Sequence, residues 1–162
     1  MKMLAATLAV ALLFSAGSAW ADFADGMAAY NRGDYATAFQ EWLPLAEQGD
    51  AEAQYKFGTL YHNGYGVSKN NIEAIKWYRK AAEQGHEQAQ YFLGGMYLRG
   101  MYLRGEGIPT NYLKAYMWYS IAKANGSGLA SMWLYKLEEH IGPAQIAKAQ
   151  ALTNEYWEKH NN

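Results

Sequence analysis

The 162-residue chain has no cysteine, only three prolines, and charged side chains at just 18% of positions. Without cysteine there is no disulfide framework, no thiolate to ligate zinc and no nucleophilic thiol. Stability must therefore come from packing, and a chain of this length buries about 68% of its unfolded surface. The formal net charge is −1, and no clustered basic face marks a nucleic-acid binder. Apolar runs are scarce too. The single long one, Met3 to Phe14, follows Met1-Lys2 and leads to Ala19-Trp20-Ala21. It falls short of the roughly 20 residues that span a bilayer. A basic start, apolar middle and small-x-small end instead match a secretory signal peptide cut after Ala21. The mature chain is then expected in the periplasm, or outside the cell, with no stable membrane span.

Catalytic signatures are equally thin. There is no G-x-S-x-G elbow, phosphate-cradling glycine loop or H-E-x-x-H motif. His62, His86, His140 and His160 are far apart and form no i, i+4 metal pair. Glu138 and Glu139 are adjacent, so they face different sides of a helix and make a poor acid/base pair. The expectation is a protein that is not an enzyme and holds no cofactor and no metal.

What the chain does have is a period. "AEAQYKFG", Ala51 to Gly58, returns 36 residues later as "EQAQYFLG", Glu87 to Gly94. "WYRKAAEQG", Trp77 to Gly85, returns 41 residues later as "WYSIAKANG", Trp118 to Gly126. Ala46 to Gly49 precedes Ala82 to Gly85 by 36. The five-residue excess equals one MYLRG, which occurs twice in a row between Gly94 and Gly107. A period in this range signals stacked supersecondary units.

Each unit reads as two helices. Ala53, Phe57, Leu60 and Tyr61 share one helical face. Gly64-Tyr65-Gly66 ends that helix, and Val67 is expected to pin the loop. Asn70 with Glu73 suggests a capping box for the next helix. Ala74, Trp77, Tyr78, Ala81 and Ala82 form its apolar face, and Gly85 stops it. Trp42, Trp77 and Trp118 are expected in the core. His86 falls in the turn between units, one period after Asp50. The duplicated MYLRG raises a choice between a lengthened helix and a lengthened loop. Leu103 continues the face of Met96, which favours a helix running through Met101 to Arg104 at a cost of roughly 1 kcal/mol for Gly100.

The pattern A-x-x-L/F-G-x-L/M-Y-x-x-G-x-G-V/I followed by A-x-x-W-Y-x-x-A-A-x-x-G resembles the Sel1-like repeat family, relatives of the tetratricopeptide repeats. The resemblance implies an all-α, right-handed α-solenoid whose first helices line a concave face that holds protein partners. A cysteine-rich branch of that family is linked to β-lactam binding; this chain lacks every such cysteine. The expected organisation is a signal peptide at 1–21, a partial repeat at 22–50, a repeat at 51–86, a repeat with the five-residue insertion at 87–126, and capping helices at 127–162. Within the cap, Ala130 to His140 and Ala144 to Lys159 form helices around the break Ile141-Gly142-Pro143.

Helical phase places Lys56, Thr59 and His62 away from the core in one first helix, and Gln88, Phe92, Gly95, Leu98 and Arg99 in the next. With Tyr102, the residues Lys56, Thr59, His62, Phe92, Leu98 and Arg99 are the candidates for binding a protein or peptide partner. The alternative is an envelope glycan binder or glycan hydrolase that stacks sugars on Tyr61, Tyr65 and Tyr102.

Overall fold

The computed structural model describes residues 23–99 and 111–160, and every regular element among them is helical. Helix α1 covers 23–31. It is followed by α2 (Tyr35–Glu47), α3 (Ala51–Asn63), α4 (Asn71–Glu83), α5 (Glu87–Leu98), α6 (Tyr112–Ala124), α7 (Gly128–Glu138) and α8 (Pro143–His160). No helix among the described residues is long and apolar enough to cross a membrane.

Helices α2 to α6 begin where a side chain can occupy a free N-terminal N–H, whereas Ser127 makes no such bond at α7. Asp34 accepts from the Thr37 amide, Asp50 from Ala53, and Asn111 from Lys114. His86 takes the place of Asp50 one period on, and its Nδ1 accepts from the Ala89 amide at 3.2 Å. Such caps contribute about 1 kcal/mol each. The capping box expected at Asn70 is only half formed. Its side chain accepts from the Ile72 and Glu73 amides, but the Glu73 carboxylate turns outward to Lys76. The Asn70 amide donates to the Tyr61 carbonyl instead, at 2.9 Å. Gly64 ends α3 at φ 74°, and Gly85 follows α4 at φ 88°, both in the left-handed region that side chains resist.

Packing within a pair depends on one close approach. The Tyr78 ring of α4 lies flat over Gly58 of α3, so a Cβ there would meet the ring at 2.7 Å. Tyr119 of α6 sits on Gly94 of α5 in the same way, also at 2.7 Å, and Trp42 of α2 sits on Gly26 of α1. The three rings are almost wholly inaccessible to solvent. Burying an aromatic this fully contributes roughly 1.5–3 kcal/mol. The expectation that all three tryptophans are core holds for Trp42 and Trp118 and is corrected for Trp77. Trp42 matches Tyr78, not Trp77. Trp77 is only half-buried, with the Lys80 ammonium 3.9 Å from its ring centre. Trp118 is buried because Tyr156 of α8 packs edge-on against it at 5.4 Å.

Neighbouring pairs are held in register by two buried glutamines. Gln54 donates to the Ala46 carbonyl of the preceding pair and accepts from Gln84; Gln90 donates to Ala82 and accepts from Asn125. The four bonds measure 2.8–3.0 Å. A buried amide with all its partners specifies one stacking register, because any slip would leave polar atoms unpaired.

The last pair is different. α7 packs on α6, but α8 also packs along α6 rather than forming a hairpin against α7. Tyr156 reaches back from α8 to the Ala82 carbonyl at 3.2 Å.

Candidate interaction groove

The C-terminal ends of α3, α5 and α7, the first helices of their pairs, converge around a groove of about 1060 Å³. Its apolar floor includes Phe92, Met96, Leu98 and Leu137, its aromatic rim includes Tyr91, Tyr112 and Trp133, and its cations are Lys69, Arg99 and Lys136. His62 and His140 stand at the edges.

The Phe92 and Trp133 walls are held by packing against neighbouring rings. Phe92 stacks on Tyr78 at 5.5 Å with its edge toward Tyr91. Trp133 lies parallel to Tyr119 at 6.3 Å, donates its indole N–H to the Tyr91 hydroxyl at 3.2 Å, and carries Lys136 4.9 Å from the centre of its ring. Burial raises the Tyr78 hydroxyl above the usual tyrosine range, opposed only by its hydrogen bond to Thr59. Burial raises the Tyr119 hydroxyl too; the nearby Tyr91 adds to the shift and the Arg99 charge opposes it. Neither phenol is a base near neutral pH, and both act as packing groups. His62 is fixed by a 2.7 Å hydrogen bond between its Nδ1 and the Asn71 side-chain oxygen.

The candidates named from helical phase separate here. His62, Phe92, Leu98 and Arg99 all line the groove. Lys56 and Thr59 are not among its lining residues. Lys56 pairs with Glu52 at 3.5 Å. Thr59 donates to the Tyr55 carbonyl and accepts from the Tyr78 hydroxyl, so it serves the packing of its own helix pair. Tyr102 lies outside the described residues, as does the Met101 to Arg104 stretch expected to prolong the helix. The described α5 has 12 residues against 13 in α3. The Asn111 amide donates to the Tyr97 carbonyl at 2.9 Å, matching the Asn70–Tyr61 bond one repeat earlier.

Helical phase missed Tyr91, Tyr112, Trp133, Lys136 and His140. Phase within one helix cannot tell that three successive helices bring their C-terminal ends to one place. Of the tyrosines proposed to stack sugars, Tyr102 lies outside the described residues, and Tyr61 and Tyr65 are spent on packing. Tyr65 lies parallel to Tyr35 at 4.2 Å, and Tyr61 meets Phe57 and Phe39 edge to face. Among the described residues no three His, Asp or Glu side chains converge as a metal site would require.

Stacked helix pairs with a repeating glycine–aromatic notch define an α-solenoid. More narrowly, the chain carries two Sel1 repeats, at residues 51–86 and 87–127. The solved structure of a protective antigen present in uropathogenic Escherichia coli strains, displaying an SLR fold, superposes with a TM-score of 0.77 at 29% identity, covering 88% of this chain and 30% of that one. Chitin synthase regulatory factor 3 of Schizosaccharomyces pombe is 35% identical over 109 residues, which is 65% of this chain and 11% of that protein. An ERAD-associated E3 ubiquitin-protein ligase component of Arabidopsis thaliana is 34% identical over 71 residues, 43% of this chain and 10% of that protein. The chain thus spans about a tenth of the length of these two relatives. They are named for regulation and for membership of an assembly.

Proposed function

We propose that this protein is an exported, non-enzymatic scaffold that binds a segment of another protein in the groove between α3, α5 and α7. The observation that carries the reading is the groove itself. It presents a preformed apolar floor with polar groups at its edge, on a surface built from repeating helices. Pre-packed walls lower the ordering cost of binding, which favours affinity. The names of the relatives, a regulatory factor and a ligase component, support an adaptor role. Export rests on the leader-like Met1 to Ala21.

In-cell photo-crosslinking tests the proposal. A photoreactive residue at Leu98 should capture one partner, whereas the same residue at the exposed Ile72 should not. The double variant Phe92→Ala, Leu98→Ala should lose that partner on co-purification while keeping its helical signal. Retained co-purification would sink the reading. Mass analysis of the protein from the cell envelope should find Asp22 at the N-terminus; an intact leader would refute cleavage.

A further inference from the structure

The groove has a charge sign that the chain as a whole lacks. The protein carries 14 Lys and Arg against 15 Asp and Glu, yet the groove is lined by Lys69, Arg99 and Lys136 and by no carboxylate among the described residues. All three cations are exposed, and none forms an ion pair with another described residue. Two carboxylates on the lining helices are engaged elsewhere. Glu138 on α7 accepts from the Tyr116 hydroxyl at 3.0 Å, and Glu52 on α3 is held by Lys56 and His86. The cations stand around the apolar surface of Phe92, Leu98 and Leu137. Low-dielectric walls beneath a ring of one sign focus the field on whatever enters.

We infer that the groove receives an acidic peptide segment, one with Asp or Glu side chains flanking an apolar residue. This deepens the proposed function and rests on the groove being the binding surface. The apolar residue would lie on Phe92 and Leu98 while the carboxylates meet Lys69, Arg99 and Lys136. An acidic polysaccharide would match the charge but not the walls. Phe92 and Trp133 each have a face taken, by Tyr78 and by Tyr119, and Lys136 sits over the Trp133 ring. That leaves Tyr112 as the exposed rim ring above an apolar floor that suits a hydrophobic side chain. Charge complementarity of this kind sets partner choice and association rate more than raw affinity.

The test uses the purified protein and three fluorescein-labelled synthetic peptides. They share the same Leu and Phe positions, and the intervening positions are all Glu, all Gln or all Lys. Fluorescence anisotropy should show the Glu peptide bound and released by added salt. The Gln peptide should bind at least about tenfold more weakly, with the Lys peptide weaker still. The triple variant Lys69→Glu, Arg99→Glu, Lys136→Glu should invert that order, and the milder Lys136→Gln should weaken only the Glu peptide. Equal binding of the three peptides, with Phe92→Ala, Leu98→Ala abolishing it, would overturn the acidic preference and leave the groove standing. Binding of none of them, with no partner captured from Leu98, would remove both. Displacement of the Glu peptide by oligogalacturonate at lower concentration than by unlabelled peptide would assign the groove to polysaccharide and overturn the inference.

Discussion

In the pairs α3–α4 and α5–α6 a tyrosine ring rests on a glycine, and a glutamine one turn earlier grips the preceding pair. In α7 the position equivalent to Gly58 and Gly94 is Tyr135, and the position of Gln54 and Gln90 is Ser131. The consequences are visible in the packing. With the notch filled by its own side chain, α7 cannot take a second helix on that face, and α8 lies along α6 instead. Leu129, Met132 and Tyr135 are left exposed at 60%, 47% and 65%. The changes at the notch and at the glutamine position thus accompany the difference between a unit that propagates the stack and the last described one, which does not. Terminal units of solenoids are generally atypical.

The comparison can be broken most severely at the rings. Tyr119→Ala should cost about 3–5 kcal/mol, read as a shift in the urea midpoint, because the ring fills the space between α5 and α6. A loss under about 1 kcal/mol would show that the notch is not a principal contact. Next comes Gly94→Ala. A single added carbon presses on the Tyr119 ring, and overpacking of this kind costs about 1–3 kcal/mol. Gln90→Leu should follow at about 1–2 kcal/mol, since it leaves the Asn125 amide and the Ala82 carbonyl with one partner fewer. Hydrogen exchange should then quicken in both flanking pairs, not in one. The smallest effect belongs to Tyr135→Ala, expected within about 0.5 kcal/mol because the ring is exposed. A destabilisation as large as that of Tyr119→Ala would show that Tyr135 is a buried contact after all.

The repeat period, the paired helices and most helix ends were legible in the chain, since spacing, caps and glycines are local signals. The tryptophan period was misleading. Trp42 and Trp77 are 35 apart, one short of the true repeat, and only the ring-on-glycine contact shows that Trp42 keeps company with Tyr78. The glutamine bonds could not be foreseen, because Gln54 and Gln84 are 30 residues apart and Gln54 reaches the Ala46 carbonyl only when pairs stack. The groove was half legible. Phase along α3 and α5 pointed to His62, Phe92, Leu98 and Arg99. Trp133 and Lys136 come from a helix whose repeat pattern has decayed, so nothing in its spacing marked them as neighbours. Thr59 pointed the right way for its phase, yet the Tyr78 hydroxyl claims it.

The paired bonds from Asn70 to Tyr61 and from Asn111 to Tyr97 have a consequence for how this chain can change. Eight residues lie between the first pair and thirteen between the second, yet both intervals are closed by the same backbone contact at 2.9 Å. By length alone, five more residues add only about 0.4 kcal/mol to the entropy of closing a chain segment. Five further residues in this interval leave the closing contact in place, whereas five residues inserted in a helix before Gly58 or Gly94 would turn the notch about 140° away from its ring. The clamp makes one interval of the repeat elastic and leaves the rest rigid. It also marks a place in these two units where sequence length can differ while the contact that closes the interval is kept.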